Sequence, residues 1–318
     1  MPILRTVKKI PGGMMVVPLL LGAIVNTFFG EIWTMYDGTF TTHLWKTGAM
    51  PILAAFLFCN GTTIDFKKAG VPLGKGLLLT VIKVGIGILL GLLVNAIGGP
   101  AGVFSLTPLA VVGAVANSNG GLYSSLAGEY GDSTDVGAVS ILSINDGPFF
   151  TMVALGVSGL ASIPINTLIG CVIPIVIGCI LGNLDPEIRK FCEPGATLLI
   201  PFFSFPLGAG LNLRNLLVGG APGILLGVVC CLVSGMAGYC VYKLLRVKYP
   251  EVGAAIGTTA GNAAATPAAV AAADASLAGI AGAATAQVTC AVIVTAILCP
   301  VLVTWLHNIE AKKRAAAA

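Results

Sequence analysis

Long apolar stretches separated by short polar segments run through the whole chain. We predict ten membrane-spanning helices from this pattern, because a helix that crosses a bilayer needs about 20 mostly apolar residues. The predicted spans are residues 13–29, 47–59, 74–97, 103–126, 134–157, 164–181, 196–211, 220–245, 252–273 and 277–306. The second and seventh are short. The pattern therefore predicts an all-α polytopic membrane protein.

Two of the predicted spans, the fourth and the ninth, are interrupted. The fourth contains the sequence NSNGG at residues 117–121, and the ninth runs through GTTAGNAAATPAAVAAADAS at residues 257–276. Glycine pairs and Asn/Ser clusters favour turns over helix, because they permit positive φ and supply local hydrogen bonds. Irregular backbone at membrane depth is tolerated only where it is buried in protein or lines a wet cavity. We expect breaks near 117–121 and near 262–267, and we expect them to approach each other.

Composition and charge support a membrane protein and orient it. Of 318 residues, 56% are hydrophobic and 9% are charged, against about 25% charged in soluble domains. With the N-terminus placed in the cytoplasm, all but three of the 17 basic residues fall in cytoplasmic segments. The exceptions are Lys46, Lys83 and Arg214. Because cytoplasmic loops carry the excess of Lys and Arg, we expect both termini in the cytoplasm.

An odd number of spans in each half has a geometric consequence. If residues 1–160 and 161–318 are repeats of five spans each, the second repeat is inserted upside down. Two interrupted spans at corresponding positions of two halves are also a pointer to the binding site of a transporter. We therefore expect two inverted five-helix repeats, with the fourth and ninth helices broken and crossing.

The two halves can be aligned through their broken helices. Placing Asn117 on Asn262 also places Glu129 on Asp274. Helices rich in Ala and Gly also align by chance, so chance similarity is the alternative to a repeat.

Charged and amide side chains inside the spans are few. Asp146 lies in the fifth span beside Asn145, and an acid at the bilayer centre costs about 2.5–3.5 kcal/mol on insertion scales. We expect Asp146 to carry a proton or bind an ion, with Asn145, Glu129 and Gln287 as further coupling candidates. A structural acid is the alternative for Asp146. Lys83 could pair with Asp146, attract an anionic substrate or snorkel to the membrane surface.

Four motifs resemble a known family. They are IPGGMMVVPLLLGAIVNTFFG, AVANSNGGLYSSLAGEYGD, SINDGPFFTM and GTTAGNAAATPAAVAAADAS. Over nearly its whole length the chain resembles the 2-keto-3-deoxygluconate permease family. The resemblance implies proton-coupled uptake of sugar acids across the bacterial inner membrane. It also implies a superfamily that includes bile acid–sodium symporters, with a core bundle of spans three to five and eight to ten beside a panel-like bundle of the other four.

A sugar acid of that kind offers a carboxylate, a ketone and several hydroxyls. Broken helices expose half-helix amides whose partial positive charge suits a carboxylate. Side-chain amides and hydroxyls beside them can bond the substrate hydroxyls. The substrate-binding candidates are Asn117, Ser118, Asn119, Gly120, Gly121, Asn262 and Thr266. The alternative is that these polar side chains only satisfy backbone groups freed at the breaks.

Other classes of protein fit the sequence poorly. The two histidines, His43 and His307, have no Cys or Glu partner at metal-ligand spacing, and no hydrolase or nucleotide-binding motif is present. We expect no enzyme activity, no cofactor, no metal site and no nucleic-acid partner. The remaining alternatives to a proton symporter are a sodium-coupled organic-anion symporter and a passive facilitator or channel.

Overall fold

The computed structural model describes residues 2–9, 13–64, 70–142, 145, 148–210 and 213–317. These residues are helical apart from their connections, and within them a single isolated β-bridge joins Val103 to Leu106. The α-helices, numbered in chain order, are α1 (Ile3–Lys9), α2 (Gly13–Phe28), α3 (Glu31–Met35), α4 (Phe40–Trp45), α5 (Ala49–Thr63), α6 (Val71–Gly98), α7 (Pro108–Val115), α8 (Gly120–Tyr130), α9 (Ser133–Gly137), α10 (Val139–Leu142), α11 (Pro148–Val157), α12 (Ile165–Leu184), α13 (Pro186–Cys192), α14 (Gly195–Leu198), α15 (Ile200–Ala209), α16 (Leu213–Val229), α17 (Gly235–Leu244), α18 (Thr266–Ala273) and α19 (Ala278–Ala317). A π-helix covers Cys230–Ser234, and 3-10 helices cover Gly99–Ala101, Pro250–Ile256, Gly261–Ala265 and Ala275–Leu277.

Among the described residues, four helical stretches are long and apolar enough to cross a membrane by length and composition. They are Val71–Ala101, Ile165–Leu184, Gly219–Leu244 and Ala275–Ala316. Their outward faces carry exposed apolar side chains such as Leu89 and Leu93 on α6 and Ile169 and Ile173 on α12. Lipid is the environment that such faces fit. The predicted all-helical, multi-pass membrane protein is confirmed, and the count of ten spans stays a prediction.

The helices α2, α5, α12 and α15 share one hydrophobic core, to which Leu19, Leu57, Ile175 and Phe203 contribute one side chain each. These are the helices expected to form the panel-like bundle. Helix α2 contacts α15, and α5 contacts α12, at glycine residues. A side chain on Gly208 would place its Cβ 1.9 Å from the carbonyl oxygen of Leu19, so α15 lies directly on the backbone of α2.

A second body of helices comprises α6 to α11 and α16 to α19, with the broken helices at its centre. Its two cores join Leu109, Met152 and Val288 in one cluster, and Leu79 and Tyr242 in the other. These helices are the ones that fall within the predicted spans three to five and eight to ten.

The predicted break in the fourth span is confirmed. Helix α7 ends at Val115, residues 116–119 are not helical, and α8 begins at Gly120.

The second break lies earlier than predicted. The 3-10 helix Pro250–Ile256 is followed by non-helical residues 257–260, and Asn262 already lies in the next 3-10 helix, Gly261–Ala265. The expected position, 262–267, was therefore wrong at its start. The reason is tertiary: the Thr259 N–H donates to Thr295 Oγ1 on α19 at 3.0 Å instead of to its own helix.

Candidate functional site

The two non-helical segments cross and bond to each other reciprocally. The Asn119 N–H donates to Thr258 Oγ1 at 2.9 Å, and the Ala260 N–H donates to Asn117 Oδ1 at 2.9 Å. The two bonds are equivalent: the Thr258 side chain accepts from the Asn119 N–H just as the Asn117 side chain accepts from the Ala260 N–H. Thr258 therefore takes the part in this contact that Asn117 takes, four residues before the Asn262 that the alignment of the two halves places on Asn117.

Side chains from three elements cap the carbonyl end of α7. Asn117 Nδ2 donates to Gly113 O at 2.6 Å, Thr259 Oγ1 donates to Ala114 O at 3.0 Å, and Asn145 Nδ2 donates to Ala116 O at 3.0 Å. A helix end leaves carbonyls without partners, which must be satisfied when no water reaches them. Asn117, which is 1% exposed, and Asn145, which is fully buried, therefore both satisfy backbone carbonyls that the break leaves without helical partners.

The amino ends that follow the breaks face a cavity of about 580 Å³. Asn119, Gly120 and Gly121 line it at the start of α8, and Ala260, Gly261 and Asn262 line it after the second break. Asn119 is also the N-cap of α8, since its side chain accepts from Leu122 N at 2.9 Å. Helix N-termini carry partial positive charge, so this wall of the cavity suits an anion.

The opposite wall comes from the panel-like bundle. Phe56, Asn60 and Thr63 of α5 line it, together with Thr197 of α14. The Nδ2 atom of Asn60 is buried and has no hydrogen-bond partner in the described part of the chain. Sequence reasoning missed Asn60, although the polar run NGTT at the end of a short apolar span was a signal for it.

Further predicted binding residues keep unsatisfied polar atoms. Asn262, 7% exposed, has no partner for Oδ1 within the described ranges, and the same holds for Ser118 Oγ and Thr266 Oγ1. Asn262 lines the cavity, whereas Ser118 and Thr266 are buried and do not line it. The structure thus brings four of the seven candidates to the cavity surface: Asn119, Gly120, Gly121 and Asn262.

Three of the four predicted coupling residues, Asn145, Glu129 and Gln287, lie in the described part of the chain. Asp146 lies outside the described residues. Glu129 is exposed on α8, and Gln287 on α19 donates through Nε2 to Ser105 O at 2.7 Å. Neither Glu129 nor Gln287 lines the cavity described above.

Lys83 does not snorkel. Its side chain is 0% exposed, and its Nζ lies 3.3 Å from Cys230 Sγ. Lys83 shares its buried helix face with Gly87 and Gly91, which pack against Ala116 and Val112 at the end of α7. That face points into the protein, so the ammonium group ends beside the crossing. Lys83 is not a lining residue of the cavity.

Two broken helices that meet beside a cavity in a multi-pass helical protein are typical of membrane transporters that bind small solutes within the bilayer. Comparison with known proteins specifies the family. The family model for 2-keto-3-deoxygluconate permease matches residues 4–312. The chain therefore belongs to the 2-keto-3-deoxygluconate permease family, and the resemblance noted from its motifs is confirmed.

Curated relatives bear the same name. The chain is 50% identical over 313 residues to 2-keto-3-deoxygluconate permease 1 of Salmonella typhimurium, covering 98% of each chain. It is 41% identical over 320 residues to 2-keto-3-deoxygluconate permease of Bacillus subtilis, covering 99% of this chain and 96% of that one. The permease of Escherichia coli K12 is 39% identical over 318 residues, with 98% and 97% covered. As a permease, the chain is a transporter and not an enzyme.

Proposed function

We propose that this protein imports 2-keto-3-deoxygluconate, or a closely related sugar acid, by proton symport with alternating access. The observation that carries the proposal is the cavity walled by the amino ends that follow both breaks. Its volume of about 580 Å³ lies within the range of roughly 300–1,000 Å³ usual for small-molecule sites. The substrate itself comes from the names of the relatives.

In this proposal the substrate carboxylate binds at the amino end of α8. The N–H group of Gly121 and the partial positive charge of the helix end stabilise it. The substrate hydroxyls bond to Asn119 and Asn262 on one wall and to Asn60 on the other. Asn117, Ser118 and Thr266 belong to the site as the layer that holds the wall in place.

The helix pairs support an inverted repeat of residues 1–160 and 161–318. In the panel-like bundle α2 packs on α15, while α5 packs on α12. If α2 corresponds to α12 and α5 to α15, the repeat relates the α2–α15 pair to the α12–α5 pair. Both pairs meet through glycine, at Gly208 in the first and Gly178 in the second.

Two matching aspartate caps give the repeat independent support. Asp132 Oδ1 accepts from the N–H and hydroxyl of Thr134, and Asp274 Oδ1 accepts from the N–H and hydroxyl of Ser276. In each case the hydroxyl bond is the main cause that lowers the aspartate pKa from its usual value. Each cap directly follows a broken helix. Asp132, rather than Glu129, is therefore the better counterpart of Asp274.

We place the protein in the bacterial inner membrane with both termini in the cytoplasm. Contacts between loop ends agree with this orientation. Ser162 N donates to Asp274 Oδ2 at 2.7 Å, and both residues fall in segments predicted to be periplasmic. Lys8 and Glu193, which line the mouth of the cavity, fall in segments predicted to be cytoplasmic. In this orientation the cavity opens toward the cytoplasm.

Proton coupling is proposed to use Asp146, with Asn145, Glu129 and Gln287 as secondary candidates. Asp146→Asn fixes the neutral form of the side chain while keeping its shape. In proteoliposomes we expect this variant to exchange 2-keto-3-deoxygluconate across the membrane but to lose accumulation under an inward proton gradient. Asp185→Asn is the matched control, because Asp185 caps the short helix α13 and asparagine caps equally well.

The same vesicles separate the alternatives. Accumulation that follows a sodium gradient, and not a proton gradient, would favour the sodium-coupled symporter. Equilibration without accumulation under either gradient would favour a passive facilitator. Normal proton-driven accumulation by Asp146→Asn would make that residue structural, and Glu129 and Asp274 would be tested next.

A further inference from the structure

Lys83 places an ammonium group inside the protein at the middle of α6. The side chain is 0% exposed, and the described residues include no carboxylate within salt-bridge distance of it. Burying a charge is costly unless other groups compensate for it. An ionisable residue at membrane depth is therefore a candidate for a functional role.

The group that Lys83 contacts connects it to both broken helices. Cys230 Sγ lies 3.3 Å from Lys83 Nζ, 3.4 Å from Thr259 Oγ1 and 3.6 Å from Ala114 O. Cys230 is also the first residue of the π-helix Cys230–Ser234, and such π-helical irregularities are frequent at functional sites. Within the described part of the chain, the other titratable groups that interact with Lys83 are the thiols of Cys231 and Cys299.

The electrostatics of the crossing favour a cation at this position. The carbonyl end of α7 carries the negative end of the helix dipole. In transporters with broken helices, such carbonyl ends and the unwound backbone coordinate the coupling cation. Here a side chain of the protein brings a positive charge beside that carbonyl end, through Cys230 Sγ, while the amino ends that suit an anion face the cavity, which Lys83 does not line.

We infer that the Lys83 ammonium is the resident cation of the crossing and supplies the positive charge that a bound sodium ion would otherwise provide. Lys83 is thus a positioning residue: it acts through Cys230 on the broken helices and does not touch the substrate. The inference rests on the proposed transport function, and it implies that transport needs no sodium ion at the crossing.

The test compares Lys83→Met, which keeps the length and removes the charge, with Lys83→Arg, which keeps the charge. Purified proteins in proteoliposomes are assayed by counterflow of 2-keto-3-deoxygluconate, with sodium present or replaced by choline. We expect Lys83→Met to lower the maximal exchange rate at least tenfold and to change KM less than threefold. Lys83→Arg should keep at least half of the rate, and wild-type exchange should not respond to sodium.

Lys190→Met is the matched control, because Lys190 is an exposed lysine on α13. Size-exclusion profiles and thermal unfolding show whether each variant folds.

Several results would overturn the inference. These are wild-type rates in Lys83→Met, a tenfold rise in KM at unchanged rate, exchange that requires sodium, or a folded Lys83→Arg as inactive as Lys83→Met. The rise in KM would assign Lys83 to attraction of the substrate. If wild-type protein itself exchanges no 2-keto-3-deoxygluconate, the proposed function fails and the inference fails with it.

Discussion

At the scale of single residues, the polar side chains around the breaks divide into two kinds. The side-chain amides of Asn117 and Asn145 donate hydrogen bonds to backbone carbonyls of the broken helix. Asn60 and Asn262 line the cavity and keep a polar atom without a protein partner in the described ranges. A buried polar atom that is left unbonded costs about 1–3 kcal/mol, so a ligand that bonds to it gains affinity. The two kinds of side chain should therefore respond differently to mutation.

We predict that Asn60→Ala and Asn262→Ala weaken substrate binding while Asn117→Ala mainly lowers stability. A lost hydrogen bond of about 1–3 kcal/mol corresponds to roughly 5- to 150-fold in Kd. Asn117→Ala removes two buried bonds, to Gly113 O and from Ala260 N, so its thermal unfolding temperature should fall most. Calorimetric titration gives Kd, and unfolding in detergent gives stability. Unchanged Kd in both cavity variants would place the substrate elsewhere.

At the scale of elements, close helix packing depends on glycine. Gly22 on α2 and Gly208 on α15 each face the backbone of the other helix, and Gly61 and Gly178 do the same for α5 and α12. Small residues let backbones approach closely, which is a main source of helix association in lipid. The panel-like bundle is thus built from two glycine-mediated crossings.

We predict that Gly208→Ala destabilises the protein, because its new Cβ would meet the Leu19 carbonyl oxygen at 1.9 Å and push α15 from α2. Overpacking of this kind typically costs about 1–3 kcal/mol. Gly170→Ala is the control: it lies on α12 with nothing within 4 Å, and alanine favours helix by up to about 1 kcal/mol. Thermal unfolding in detergent should move down for the first and stay or rise for the second. Equal shifts would contradict the packing argument.

The sequence predicts some of these elements better than others, for physical reasons. The break at α7 follows from local chemistry, since an Asn N-cap and two glycines start α8. The second break was misplaced because Thr258 and Thr259 bond to other helices, which no local pattern reveals. The burial of Lys83 could be predicted in part from the sequence, because Gly76, Gly87 and Gly91 share its helix face. Asn60 was missed because its role depends on a cavity formed by distant segments.

At the scale of the whole molecule, the cavity lies between the two bodies of helices. Asn60 and Thr63 of the panel-like bundle form one wall, and the broken helices form the other. A site shared by two bodies can be exposed to either side when one body moves against the other. The proposed alternating access would therefore require no change within either bundle, provided that the crossing stays intact.

The proposed inverted repeat makes a whole-molecule prediction about the two aspartate caps. Asp132 and Asp274 make the same bonds after the two broken helices, yet an odd number of spans per repeat would put them on opposite sides of the membrane. Ser133 and Ala275 are exposed neighbours of these caps, so Ser133→Cys and Ala275→Cys report the side of each.

A membrane-impermeant maleimide should label Ser133→Cys in inside-out vesicles only, because the loop of Asp132 is predicted to be cytoplasmic. It should label Ala275→Cys in intact cells only, because the loop of Asp274 is predicted to be periplasmic. Unsubstituted protein gives the background from the nine native cysteines, which is subtracted in both preparations. Labelling of both variants from the same side would contradict an inverted repeat of five spans. It would also show that the charge bias of the loops does not set the orientation as argued.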